Sequence, residues 1–137
     1  MVKNNVAAGS CRHPHLEGEI GMFMKESIGE QVLLRIFIGE SDRHVHVPLY
    51  EALVELFRAE GFAGATVLRG IAGFGAHHMY HTDRLLRLSS DLPLVVEVVD
   101  DRERFEAVLP KVEAMMSGGM ITMEKVSVWR YSRKPAA

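Results

Sequence analysis

The sequence has a single cysteine, Cys11, so no disulfide can form within the chain, and a reducing compartment fits that usage. The thiol reads as incidental rather than catalytic. No stretch approaches the roughly twenty apolar residues that span a bilayer, and the opening MVKNNVAAGSCRHPH lacks the apolar centre of a signal peptide. A cytoplasmic protein with no membrane span is expected. Charge of one sign is also missing: 16 Lys and Arg stand against 18 Asp and Glu, interleaved, for a formal net charge of −2. Without a basic stripe to track a phosphate backbone, nucleic acid is not an expected partner. No strained nucleophile motif occurs either, because Ser89 and Ser90 fall in LSSDLP, a turn before a strand. With no acid, base and nucleophile set in catalytic spacing, the chain reads as a non-enzyme.

What is present is a hydrophobic content of 47% in 137 residues, enough for one domain with a real core. Residues 1–30 mix Gly, His, Glu, Lys and Met without periodicity and read as a flexible N-terminal arm, 31–131 as the domain, and 132–137 as a C-terminal tail. Within the domain, QVLLRIFI (31–38) is rich in β-branched and aromatic residues and predicts a strand. PLYEALVELFRAEG places Leu49, Leu53, Leu56 and Phe57 on one helical stripe, with Pro48 in the first turn and Gly61 at the C-terminal end. ATVLRG (65–70) and PLVVEVVD (93–100) predict two more strands. DRERFEAVLPKVEAMM predicts a second helix through Phe105, Val108, Leu109, Val112 and Met116, with a kink at Pro110, and MITMEKVSVWRY (120–131) a last strand. The order β-α-β-β-α-β is that of a ferredoxin-like α+β fold, an antiparallel sheet with two helices on one face.

One sheet face of such a fold should be polar, yet here both are apolar. Leu33 and Phe37 oppose Val32, Leu34, Ile36 and Ile38, while Val95 and Val99 oppose Leu94, Val96 and Val98. Covering the second face calls for a partner, and self-association supplies one most simply. Arg35 and Glu97 share that second face and are expected to pair, across neighbouring strands or between subunits, because unpaired burial is costly.

Between the second and third strands lies a twenty-two-residue excursion, 71–92, far longer than a hairpin loop of roughly two to five residues. It contains GFGAHHMYHTDR, with His77 and His81 four apart, and it is the segment expected to carry function, most flexible over Ala76–Thr82. His44 and His46 sit two apart, as strand neighbours would, and CRHPHLEGE in the arm alternates histidine with glutamate. Either histidine pair suits a metal, but no second cluster at ligand spacing closes a site, so solvated or anion-binding histidines are the simpler reading. GIAGFG (70–75) matches neither the dinucleotide fingerprint nor the P-loop. Its glycines offer backbone freedom to approach a ligand.

Three stretches, LRIFIGESDRHVHVPLYEALVELF, GATVLRGIAGFGAHHMYHTDRLLRLSSDLPLVVEVVD and ITMEKVSVWRY, resemble the bacterial and archaeal family filed as domain of unknown function 190, whose members adopt a PII-like fold. The likeness covers about residues 31–131. It implies a homotrimer with sheets facing inward, and it makes 71–92 the counterpart of the PII T-loop, a segment that senses ligand and contacts protein partners. The resemblance also implies a small anionic ligand, nucleotide among the candidates, in clefts between subunits. Gly70, Gly73, Phe74 and Gly75 would form one wall, Gly118 and Gly119 the other, with His77, His81 and Arg84 in reach. SGGMITM carries no basic residue where the PII pattern has them, so no triphosphate-gripping group is carried over there. No cofactor is named by these residues. The alternative on the same fold is a trimeric metal-binding protein of the CutA-like kind, using the loop histidines.

Overall fold

The computed structural model describes residues 23–75, 81–82 (backbone only) and 91–133. The chain divides into two compact units, Ile28–Val128 and a terminal unit of which Phe23–Ser27 and Trp129–Arg133 are described.

In the larger unit, β1 (Phe23–Gly39) enters from the terminal unit and is followed by a small hairpin of β2 (Arg43–His44) and β3 (Val47–Pro48), then α1 (Leu49–Ala59). Next come β4 (Thr66–Arg69), the short strands β5 (Ala72–Gly73) and β6 (His81–Thr82), β7 (Pro93–Asp100), α2 (Arg102–Met115) and β8 (Met120–Arg133). The main sheet runs β4-β7-β1-β8, with β7 antiparallel to both β1 and β4. This is the α+β, ferredoxin-like βαββαβ arrangement that the element order predicts.

Alternation decides which side chains enter the core. Val32, Leu34, Ile36 and Ile38 of β1 and Leu94, Val96 and Val98 of β7 are buried against Leu49, Leu53 and Phe57 of α1 and Phe105, Val108 and Val112 of α2. Both helices therefore cover one face. Leu56, Leu109 and Met116 pack against that core while partly exposed. Gly61 has φ 76°, the left-handed conformation that closes α1, and Pro110 lies inside α2. Arg104 ties the two helices together: it pairs with the buried Asp100 at 3.1 Å, donates to the Glu60 carbonyl at 3.0 Å and lies 4.5 Å from the Phe62 ring.

On the other face, Leu33, Arg35 and Phe37 alternate with Val95, Glu97 and Val99 and are only half-buried. The register aligns Leu33 with Val99, Arg35 with Glu97, and Phe37 with Val95. Arg35 Nε donates to Glu97 Oε1 at 2.8 Å, the pairing expected from alternation, and Nη1 reaches Glu124 Oε1 of β8 at 2.5 Å. Those two carboxylates raise the Arg35 pKa, the Glu97 hydrogen bond being the larger cause.

Two boundaries and one local assignment differ from the sequence reading. β1 begins at Phe23 rather than Gln31, so residues 23–30 are in strand conformation; residues 1–22 lie outside the described residues. FMKESIGE has no apolar period to announce it because its side chains are mostly exposed, and a ladder of backbone hydrogen bonds does not require one. β8 continues to Arg133, taking in two residues of the expected tail. His44 and His46 are not strand neighbours: His44 ends β2, whereas Val45 and His46 form the turn to β3.

In the terminal unit, Lys25 Nζ stands 4.3 Å from the centroid of the Trp129 ring and 5.9 Å from that of Tyr131.

Candidate functional site

The end of the sheet where β1 and β4 finish and β7 and β8 start collects nearly every described residue singled out for ligand binding. Gly39 closes β1 opposite Pro93, the first residue of β7. Proline suits that position, since it cannot donate within a ladder. Its ring packs against the base of the long excursion: a Cβ on Gly70 would stand 2.7 Å from Pro93 Cγ, and one on Gly73 3.1 Å from it. The Gly70 amide donates to the Pro93 carbonyl at 2.7 Å. Glycine at 70 therefore permits a contact that any larger residue would break.

Beyond Gly73 the chain does not run free. Ala72 pairs with Thr82 and Gly73 with His81, so a two-residue ladder closes the base of the excursion. Residues 81 and 82, the end of the stretch Ala76–Thr82 expected to be most flexible, are paired through their backbone. The remainder of that expectation, Ala76 to Tyr80, lies outside the described residues, as do His77 and Arg84; of His81 only the backbone is described. Phe74 is 68% exposed, and Gly75 has open space around it.

Gly118 and Gly119 precede β8 at the same end. Gly119 has φ 111°, and a Cβ there would come within 2.5 Å of the Phe37 carbonyl oxygen, so both conformation and closeness to β1 demand glycine. Gly118 is unconstrained by contact. An open cavity of about 360 Å³ lies here, lined by Glu113, Met116, Gly118, Gly119, Met120 and Ile121. Its lining includes one charged residue, a carboxylate. An anion at this wall must draw its countercharge from elsewhere.

A polar turn braces this end of the sheet, and the sequence reading had not assigned it a role. Glu40 N–H donates to the Leu92 carbonyl at 2.9 Å, Ser41 N–H to Asp91 Oδ1 at 3.0 Å, and Gly39 N–H to Asp42 Oδ2 at 2.9 Å. Arg69 of β4 pairs with Glu40 at 3.1 Å. The GESD run after a strand is a turn signal, but its tie to Asp91, 50 residues away, is not a local one. Asp42 also accepts the Leu49 amide on its carbonyl at 2.8 Å, fixing where α1 starts.

Among the described residues, no group of three or more His, Cys, Asp or Glu is placed to hold a metal ion. No described helix is long and apolar enough to cross a membrane.

The family model DUF190, described as uncharacterized ACR, matches residues 31–128. A UPF0166 protein of Aquifex aeolicus (strain VF5) is 38% identical over 96 residues, covering 70% of this chain and 90% of that protein. One from Methanocaldococcus jannaschii is 33% identical over 99 residues, covering 72% and 91%. Among solved structures, CPII, a nitrogen regulatory PII-like protein from Thiomonas intermedia K12 bound to ADP, AMP and bicarbonate, superposes with a TM-score of 0.50 at 18% identity, over 72% of this chain and 88% of that one. A protein from Thermus thermophilus named for PII-like signaling gives 0.50 at 18% identity over 74% and 90%. The fold is PII-like.

Proposed function

The chain belongs to the DUF190 family, and from its architecture we propose a non-enzymatic regulatory protein that binds a small anion, with adenine nucleotides the leading class, beside the base of the 71–92 excursion. The observation that carries the reading is the junction at one sheet end, where Gly70 and Gly73 close on Pro93 beneath the β5-β6 ladder and Gly118 and Gly119 open a cavity before β8. Glycine-bordered backbone of this kind can bring amide donors close to a ligand. The PII-like protein CPII, bound to ADP, AMP and bicarbonate, offers a precedent for such ligands on this fold.

The cavity wall carries no cation, and Arg69 at the opposite wall already holds Glu40. A site between subunits, to which a neighbour adds charge, meets that need. The half-buried apolar rows on the open sheet face support self-association, and a homotrimer is the assembly proposed. A protein partner would meet the excursion itself.

Calorimetry against AMP, ADP, ATP, bicarbonate and divalent metals tests the proposal. Saturable heat with an adenine nucleotide is the expected result, whereas heat with metal alone would replace it by the metal-binding reading. If His77, His78 and His81 contact the anion, affinity rises as pH falls through about 6.5, because protonation adds positive charge. Metal ligation would show the opposite sign. Replacing 76–80 with a short Gly-Ser linker, which spares the ladder at 81–82, should leave assembly intact and abolish the ligand response.

A further inference from the structure

The terminal unit gathers aromatic rings and cations on one face. Lys25 of β1 stands over the Trp129 ring and near the Tyr131 ring of β8, the strand beside it in the sheet, so these three side chains lie together. Alternation along each strand adds Phe23 and Arg133 to their face and sends Glu26 to the opposite one. Phe23 is 48% exposed, Trp129 53% and Tyr131 62%. Lys25 and Arg133 are exposed as well. Among the described residues of this unit, the face thus presents three rings and two cations, and the single carboxylate is turned away from it.

We propose that this face docks on an anionic lipid surface. Tryptophan and tyrosine rings settle at the level of the headgroups, with an apolar body on one side and a polar tip on the other, while lysine and arginine at the same level pair with headgroup phosphates. The contact of Lys25 with both rings places its ammonium at the level where the rings would enter. Each cation held near an anionic leaflet strengthens binding roughly fivefold. The proposal is independent of the ligand site at the base of the 71–92 excursion.

Other occupants fit less well. A second copy of the chain would set Lys25 and Arg133 against their own like charges. Single-stranded nucleic acid binds by stacking bases on ring faces, and the ammonium of Lys25 already stands over the Trp129 face. A protein partner needs roughly 800 Å² on each side. Two strands of five residues offer a patch of only roughly 17 Å by 10 Å. A membrane asks for no shape complementarity, so a small patch of rings and cations suffices.

Trp129 is the only tryptophan of the chain, so its fluorescence reports on this face alone. The full chain is titrated with vesicles of phosphatidylcholine and phosphatidylglycerol in equal parts, and with vesicles of phosphatidylcholine only. The emission should move to shorter wavelength and the protein sediment with the anionic vesicles, more weakly as salt rises, because headgroup attraction is screened. Lys25→Gln and Arg133→Gln should each weaken binding roughly fivefold. Arg58→Gln, which removes an exposed cation of α1, should bind as the wild type does. Unchanged emission with anionic vesicles, equal binding to the neutral ones, or the same loss in Arg58→Gln as in Lys25→Gln overturns the proposal. An emission shift produced by a single-stranded oligonucleotide or an acidic peptide, and not by vesicles, overturns it too and assigns the face to that partner.

Discussion

The two faces of β1 and β7 are made by the same strands' residues taken alternately, and both are rich in apolar side chains, yet among the described residues only one is covered by helices. On the helix side, Leu34, Ile36 and Val96 are wholly buried. On the other side, Leu33, Phe37, Val95 and Val99 keep part of their surface in water, and the charges of Arg35 and Glu97 stand among them. Hydropathy alone therefore does not tell the helix-covered face from the open one. The Arg35–Glu97 pair in the alternation does, because charged groups keep to the side where water still reaches them.

The contrast can be broken most severely from the covered side. Phe105→Ala, removing a fully buried ring, should destabilise the protomer by about 3–5 kcal/mol in denaturant unfolding. On the open side, Phe37→Asp should shift the balance from assembly to protomer, raising the dissociation constant by about a hundredfold or more, since each contact would bury an unpaired carboxylate. Its protomer should still fold, as circular dichroism would show; loss of folding would mean that the open face already acts as core. Gly119→Ala probes the point where the turn before β8 meets β1. The left-handed φ and the 2.5 Å approach to the Phe37 carbonyl predict a cost of about 1–3 kcal/mol, with Gly118→Ala close to neutral. The smallest effect lies on neither face: Arg58 holds the Glu55 carboxyl below its ordinary range by hydrogen bonding. A lowered pKa contributes stability that is present above the ordinary carboxylate range and lost as pH falls through the depressed value. Arg58→Ala should return Glu55 to the usual range in an NMR titration while leaving the melting temperature essentially unchanged.

The elements that bury apolar faces were legible from sequence. Leu49, Leu53 and Phe57 at helical spacing, and Val96 and Val98 in alternation, marked α1 and β7 because burial imposes periodicity. The start of β1 at Phe23 was not legible, since exposed strand residues carry no such imprint. Nor was the turn at Val45, where a β-branched residue takes φ 56°, against the preference for Gly, Asn or Asp at such positions. Of the candidate site, the glycines were legible as a pattern, and at Gly70 and Gly119 close approach requires them, whereas Gly75 and Gly118 have open space around them. Their frame was not: Asp91 reaches Ser41, and Pro93 lies beneath Gly70, through contacts between segments distant in sequence.

The pairing of β1 with β7 has the character of a parity check. Displacing one strand by a single residue would exchange the faces, sending Arg35 and Glu97 in among Phe57 and Phe105 and the aliphatic set out to solvent. A two-residue displacement preserves the faces but separates Arg35 from Glu97 and moves Gly39 away from Pro93. Odd errors are rejected by hydration and even ones by a lost ion pair and a displaced proline, so one alignment survives. The placement of the sheet end that carries Gly70, Gly73 and Gly119 is thus decided within the strands themselves.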